Sequence, residues 1–388
     1  MTSRLHIALI AHNRFPIRQP FAGGLEAHVW HLARALADEG HRVTLFADAD
    51  SDLDSADPGL TITPLPRTAA AAVPFPLPGA VKESDHHAFL DLMRHLVDES
   101  AHDVDVIHNH CLHHVPIHLA PRLRTPMLTT FHTPPFPWLE SAIGATGGAG
   151  SAFAAVSGFT ADAWRHVVPD RMHVVPNGVD PSRWPAGPGG DHLVWFGRLT
   201  PEKGTHLAIA AAAVSGRRLV LAGPIGNADY FREAIAPKLG ERACYAGHLD
   251  QKELASLVGG AAAALVTPLW DEPYCLAAAE AAACGTPVVA FARGGIPEVV
   301  DARSGHLVAP GDVFGMAAAI PAAVLLPRES VRDSAIARCS ARSTVTRYLA
   351  IYRDLIDERN SADNDWLLRA SPRSGTSGQG DQHLRTPA

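Results

Sequence analysis

Glu272 and Glu280 stand eight positions apart in the string WDEPYCLAAAEAAACGTPVVAFARGGIPEVV (270–300). On a helix that is about two turns. Carboxylates so placed can accept hydrogen bonds from the hydroxyls of a sugar or of a ribose. A bare Glu-x7-Glu is also what two helix-dipole charges look like, so the flanking residues must decide. Pro273 just inside a helix start, preceded by the acidic Asp271 and Glu272, marks an N-terminus. The open amides of Tyr274, Cys275 and Leu276 then form an anion site. Two carboxylates would repel a bound phosphate unless cations converge there too.

The string FGRLTPEKGTH (196–206) supplies those cations. Arg198 ends a strand, and Lys203 follows in a short loop that opens a helix. Among the 33 lysines and arginines only Lys82, Lys203, Lys238 and Lys252 are lysine. A chain that writes its cations as arginine yet keeps Lys203 wants a compact point charge, which suits a phosphate oxygen. A solvated lysine paired with Glu202 is the plainer reading of that residue taken alone.

Histidine is abundant, 22 in all, with His108, His110, His113, His114 and His118 clustered. His-x-His invites zinc, but only Cys111 adds a ligand type at suitable spacing. A loop lining a cleft is the expectation, with no metal. Asp48-x-Asp50 follows a hydrophobic strand, but Asp52, Asp54, Asp103 and Asp105 repeat that spacing. It reads as a solvated loop, and no divalent metal or other cofactor is expected.

The elements that must position these residues alternate. Leu5 to Ala11 is a near-continuous apolar run, as in a strand buried on both faces. A loop with Gly23-Gly24 leads into a helix with Leu25, Val29, Leu32 and Leu36 on one face, capped near Gly40. Strands follow at Val43 to Ala47, 104–110, 126–132 and 152–156, with helices near 84–100 and 158–167. The stretch 64–79, with five prolines, reads as an extended loop. After the turn-rich 174–190 a second series begins, with strands at 193–197, 218–223, 263–269 and 287–292 and helices at 205–213, 250–258 and 274–284. Strands separated by helices predict parallel sheets with right-handed crossovers.

The fold class is therefore α/β: two Rossmann-like, doubly wound parallel-sheet domains facing a cleft. The first would span residues 1–175 and the second 176–345. A helix at 346–359 could return to the first domain, and 360–388 is expected to be disordered. Ligands belong beyond the carboxyl ends of the strands.

Composition narrows the class. The net charge of −7 gives no global field for nucleic acid or anionic lipid. Five scattered cysteines without a C-x-x-C pair argue against a disulfide framework and structural zinc. The first apolar run is too short for a signal peptide, and no 18 apolar residues run unbroken. A soluble cytoplasmic protein of undetermined oligomeric state is expected, peripheral membrane contact remaining open.

Taken together, these strings resemble the retaining nucleotide-sugar glycosyltransferases of the GT-B fold, of the family 4 and group 1 type. The resemblance spans about 5–356. It rests on GGLE within 22–39, VIHNH (106–110), FHT (131–133), AVS (155–157), VVPNGVD (174–180), FGRLTPEKG (196–204), EPYCLAAAEAAACGTPVVA (272–290), GGIPEVV (294–300) and SGHLVAPGD (304–312).

The resemblance implies roles. Arg198 and Lys203 would hold the donor diphosphate, with Tyr274, Cys275 and Leu276 beside it. Glu272 would contact the transferred sugar and Glu280 the ribose. His132 would sit beside sugar and acceptor, and Gly23 and Gly24 would let backbone approach the donor. Residues 1–175 would bind the acceptor and 176–345 the donor. Arg14 and Arg18, beside the first loop, could meet an anionic acceptor or could equally be surface arginines; His110 and Thr133 are further acceptor-side candidates. Phe136 and Trp138 offer an aromatic wall, although core packing is the expectation for Trp138. One departure stands out: the family's EPFG is here Glu272-Pro273-Tyr274-Cys275, which adds a Cβ where the donor meets backbone.

The expected activity is metal-independent, retaining transfer of a hexose from a nucleotide diphosphate sugar to a small-molecule acceptor. UDP-glucose is the expected donor. A GDP-mannose-dependent mannosyltransferase acting on lipid or glycan is one alternative, and a non-catalytic nucleotide-sugar-binding protein another. A dehydrogenase fits poorly, because the first strand–helix turn lacks G-x-G-x-x-G.

Overall fold

The apolar runs become the inner strands of two sheets. His6–Ile10 and Val106–Asn109 are buried along almost their whole length, as strands covered by helices on both faces must be. The structure is a computed structural model that describes residues 4–65, 83–98, 102–168 and 172–370. In the first unit the order is β1 (His6–Ile10), α1 (Gly24–Asp38), β2 (Arg42–Asp48), β3 (Leu60–Leu65), α2 (Glu83–Val97), β4 (Val106–Asn109), α3 (His114–Leu119), β5 (Met127–Phe131), α4 (Pro137–Thr146), β6 (Ser151–Ala155), α5 (Gly158–Trp164) and β7 (His173–Val174). Its seven strands pair in the order β3-β2-β1-β4-β5-β6-β7.

The second unit runs β8 (Leu193–Phe196), α6 (Thr205–Ser215), β9 (Leu219–Ala222), α7 (Ala228–Tyr230), β10 (Ala243–Tyr245), α8 (Gln251–Gly259), β11 (Ala263–Val266), α9 (Leu276–Ala283), β12 (Val288–Phe291), α10 (Ile296–Val299), β13 (Gly305–Val308), α11 (Val313–Val324) and α12 (Arg328–Arg338). Its six strands pair as β10-β9-β8-β11-β12-β13. Both sheets are parallel throughout. In each the strand order reverses beside the first strand, at β1/β4 and at β8/β11, which is where such sheets open a crevice.

The last helix, α13 (Ala341–Ala370), leaves the second unit and packs on the first. Val345, Tyr348, Leu349, Ile351 and Tyr352 share one buried cluster with Ile7, Leu9, Val43 and Leu45. The helix runs eleven residues into the segment expected to be disordered, since no Gly or Pro interrupts DERNSADNDWLLRA (357–370). The remainder of that segment, 371–388, lies outside the described residues, as does most of the proline-rich 64–79. The edge strands β3, β10 and β13 went unforeseen because they are short or alternate in exposure rather than forming buried runs.

The chain crosses between units twice, and the crossings touch. Val179 N–H donates to Cys339 O at 2.7 Å, Ala341 N–H to Val179 O at 3.2 Å, and Thr344 Oγ1 to Pro176 O at 2.8 Å. A Cβ on Gly178 would stand 2.3 Å from Ala341 Cα, so only glycine allows this approach. Elsewhere Glu298 of α10 accepts the Gly158 and Phe159 amides at the start of α5, both at 2.8 Å. Among the described residues no single helix is long and apolar enough to cross a membrane.

Candidate active site

A cleft of about 710 Å³ opens between the units and is lined by both. Two helix starts face each other across it. A Cβ on Gly23 would lie 3.8 Å from both terminal nitrogens of Arg198, and one on Gly24 would lie 3.4 Å from Leu276 Cδ1. The first turns of α1 and α9 are thus opposed, and neither carries a side-chain cap. Two uncapped N-termini direct partial positive charge and amide donors into one gap, an arrangement suited to an anion.

The second unit supplies the charged wall. Lys203 Nζ lies 2.5 Å from Glu272 Oε1, which also accepts the Trp270 indole N–H at 2.9 Å. The ammonium sits 5.1 Å from the centre of the Trp270 ring, within cation–π range. Lys203 therefore pairs with Glu272 rather than with Glu202, and has further donors to offer a phosphate. The turn behind it is tight. Gly204 has φ +65°, and a Cβ there would meet Thr267 O at 2.0 Å. Thr267 Oγ1 donates to Gly204 O at 3.0 Å.

Glu280 lines the same wall, and burial pushes its carboxyl up to about 8. It is a carboxyl poised to ionise when hydroxyl donors arrive. Helix α9 begins at Leu276, three residues beyond Pro273, so its open end is carried by Leu276 and Ala277 rather than by Tyr274 to Leu276. Tyr274 lines the cleft, but its side chain is buried in the second unit's core. Cys275 is the N-cap residue, with φ +82°. This is the left-handed region that favours glycine, so the chain holds a cysteine where glycine is conformationally suited. Burial raises its thiol to about 12, leaving it protonated and inert.

The first unit supplies the opposite wall. His132 and Thr133 follow the carboxyl end of β5 and line the cleft, as does Arg14. Burial lowers the Arg14 guanidinium, as does Arg198, while Glu26 and Asp85 oppose the shift. Two acceptor-side expectations need correction. Arg18 is exposed and does not line the cleft, because the loop turns there after burying Ile17. His110 is wholly buried behind His132, 2.9 Å away through Nδ1 and Nε2. Nor do the clustered histidines form one lining loop: His108 points into the core, while His114 and His118 line a separate surface pocket. Trp138 lines the cleft while its indole donates to Leu112 O at 3.1 Å.

Sequence reasoning missed a dyad. His12 Nε2 lies 2.6 Å from Glu26 Oε1, at the floor of the cleft. Burial alone would raise the Glu26 carboxyl, but the hydrogen bond and charge of His12, with Arg198 beyond, hold it below its usual range. The signal was available: Glu26 is the acidic residue of GGLE and His12 ends the first apolar run. Their meeting requires the β1–α1 loop to close, which the sequence pattern does not reveal.

Among the described residues His28, His110 and His132 place ring nitrogens within 4.8 Å of one another, close enough to hold a metal ion. The Asp-x-Asp, expected as a solvated loop, is not one throughout: Asp48 ends β2 fully buried and accepts the Asp50 amide at 3.0 Å, because the inner end of that strand is covered.

Two family models divide the chain: Glycosyltransferase Family 4 matches residues 22–183 and Glycosyl transferases group 1 matches 184–338. A glycogen synthase of Mycobacterium tuberculosis is 31% identical over 369 residues, covering 81% of this chain and 86% of that one. A D-inositol 3-phosphate glycosyltransferase of Acidothermus cellulolyticus is 30% identical over 420 residues, covering 92% of each. The crystal structure of AviGT4, a glycosyltransferase involved in avilamycin A biosynthesis, superposes with a TM-score of 0.66 at 26% identity, covering 91% of this chain and 98% of that one. With two parallel-sheet units and a cleft between them, the chain belongs to the GT-B glycosyltransferases that use nucleotide sugars.

Proposed function

We propose that the protein is a retaining hexosyltransferase that takes its sugar from UDP-glucose and passes it to a small-molecule acceptor without a metal ion. The observation that carries this reading is the convergence of Arg198, Lys203 and the uncapped starts of α1 and α9 on one gap. A diphosphate there meets the cations of the second unit and open helix amides from both units, with the ionised Glu26 beside the start of α1 held by His12. Such charge acts strongly once the cleft closes and water leaves.

The sugar would sit between Glu272 and His132, and the ribose against Glu280. Glu272 Oε1 is occupied by Lys203 and Trp270, which fixes the carboxylate and leaves Oε2 to accept a sugar hydroxyl. In the transfer, the bond from C1 of the sugar to the diphosphate oxygen breaks. The bond from C1 to the acceptor oxygen forms on the same face, and the acceptor's proton passes to the departing diphosphate. No enzymic nucleophile is needed. Arg198, Lys203 and the helix amides stabilise the charge left on the diphosphate, the part of the barrier such groups lower most.

The acceptor would enter past Arg14, Thr133 and Trp138. The relatives act on quite different partners, by their names a glycogen and an inositol phosphate, so the acceptor belongs to this chain's own loops. Calorimetry with UDP, GDP and ADP tests the donor. UDP should bind most tightly, and preference for GDP would turn the reading toward mannosyl transfer. The anomeric proton of the product tests retention, and full activity after chelation tests the metal-free step.

A further inference from the structure

Behind His132 the first unit buries a chain of aromatic side chains that the donor site does not use. His132 Nε2 lies 2.9 Å from His110 Nδ1, and His110 Nε2 lies 3.1 Å from His108 Nδ1. That same His108 nitrogen is 2.6 Å from the hydroxyl of Tyr352 on α13. The other His108 nitrogen, Nε2, is 2.8 Å from Thr130 Oγ1. His108, His110 and Tyr352 are shut off from solvent, whereas His132 lines the cleft. Burial holds all three imidazoles well below 6.5, so each carries a single proton. Burial also keeps the Tyr352 hydroxyl protonated.

The proton positions follow one after another. A fully buried hydroxyl donates rather than leave its proton unpaired, and Tyr352 faces His108 Nδ1. His108 therefore carries its proton on Nε2 and donates to Thr130 Oγ1. His110 Nε2 faces the same nitrogen at 3.1 Å, where two unprotonated nitrogens would repel; it therefore holds the proton of His110 and shares the lone pair with the shorter Tyr352 bond, and His110 Nδ1 is an acceptor. His132 must then be protonated on Nε2 to donate to it. Reversing the chain would turn the Tyr352 proton away from its partner.

We propose that Tyr352, acting through His108 and His110, fixes His132 as the Nε2–H tautomer and leaves Nδ1 as its basic nitrogen for the cleft. His132 then accepts a hydrogen bond from a substrate hydroxyl; it does not donate one to a phosphate or carbonyl oxygen. Tyr352, His108 and Thr130 are positioning residues. The one that sets the pattern lies 244 positions from His108, on the helix that returns from the donor-binding unit. The proposal rests on the placement of His132 beside the sugar given above.

The test is nitrogen-15 NMR of the histidine rings in the full chain, where ring couplings distinguish the two neutral tautomers. His132 is assigned by its loss in His132→Gln. The expected result is Nε2–H in the native chain and a mixture of tautomers in Tyr352→Phe. That variant should lose roughly tenfold in kcat, the worth of one buried hydrogen bond, while UDP affinity changes less than twofold. Thr130→Val, which removes the partner of His108 Nε2, should give the same pattern if Tyr352→Phe does not fold. A native His132 protonated on Nδ1, or an unchanged tautomer in both variants, overturns the proposal. The stated tautomer together with full turnover in His132→Gln would uphold the relay and overturn the placement of His132 beside the sugar.

Discussion

Replacing Glu280 by glutamine tests the donor wall where its electrostatics are most distinctive. Burial raises this carboxyl from about 4.5 to about 8. The native state therefore keeps a proton that the unfolded chain gives up above its ordinary value. Between those two values the folded protein binds more protons than the unfolded one, so stability falls as pH rises and levels off above 8. At 1.36 kcal/mol per unit, the shift amounts to at most about 5 kcal/mol, less where cleft water solvates the group. Glutamine cannot ionise and should remove that slope. The assay is urea unfolding of both proteins at several pH values between 4.5 and 9, read as the difference between them. Glu280→Gln should gain roughly 2–5 kcal/mol on the native protein across that window. Nucleotide binding gives a second reading. Ribose hydroxyls favour the ionised form, so at pH 7 binding of UDP should release close to one proton, measured as a dependence of the calorimetric enthalpy on buffer. A flat difference profile, with no buffer dependence, would refute the reasoning.

Lys203→Ala should cost at least tenfold in UDP affinity and in turnover, since it removes a cation from a partly buried phosphate site; Glu272→Ala should lower kcat far more than UDP affinity. Cys275→Gly should fold with a Tm no lower than the native protein, because relief of about 1–2 kcal/mol of left-handed strain offsets the added chain entropy. Cys275→Val should lower it. Acid should unfold the protein early: burial lowers His28 to about 4, His31 to about 3 and His113 to about 3. The unfolded chain takes up protons below 6.5 that the native state refuses, so stability present above 6.5 drains away as pH falls, and His28→Phe should make urea midpoints less sensitive to acid. Gly178→Ala should lower Tm by several degrees, as its Cβ meets backbone 2.3 Å away.

The doubly wound architecture was legible because inner strands such as Leu193–Phe196 and Ala263–Val266 are buried along their whole length and are written as unbroken apolar runs. Lys203, Glu272 and Glu280 were legible because their types were unusual for their surroundings. Pairing across distance was not. Nothing near Glu272 names Lys203 as its partner, and nothing in AHNRFP predicts His12 against Glu26. His110 looked like a cleft residue because its strand ends at the cleft, but β4 turns that side chain inward, against His108 and Tyr352. Arg18 looked equally placed, and a single turn of loop put it outside.

The doubled crossing at Val179 and Cys339 acts as a spine. Because both strands of it are tied together and Gly178 leaves no slack against Ala341, the halves have little room to slide or pull apart along that edge. The freedom such a spine leaves is rotation about it, like the covers of a book, once the bonds of Glu298 to the start of α5 are released. Each donor group then travels along an arc whose length grows with its distance from the binding edge. Substitutions near that edge should consequently alter the rate of opening and product escape while leaving the chemistry at the far margin untouched.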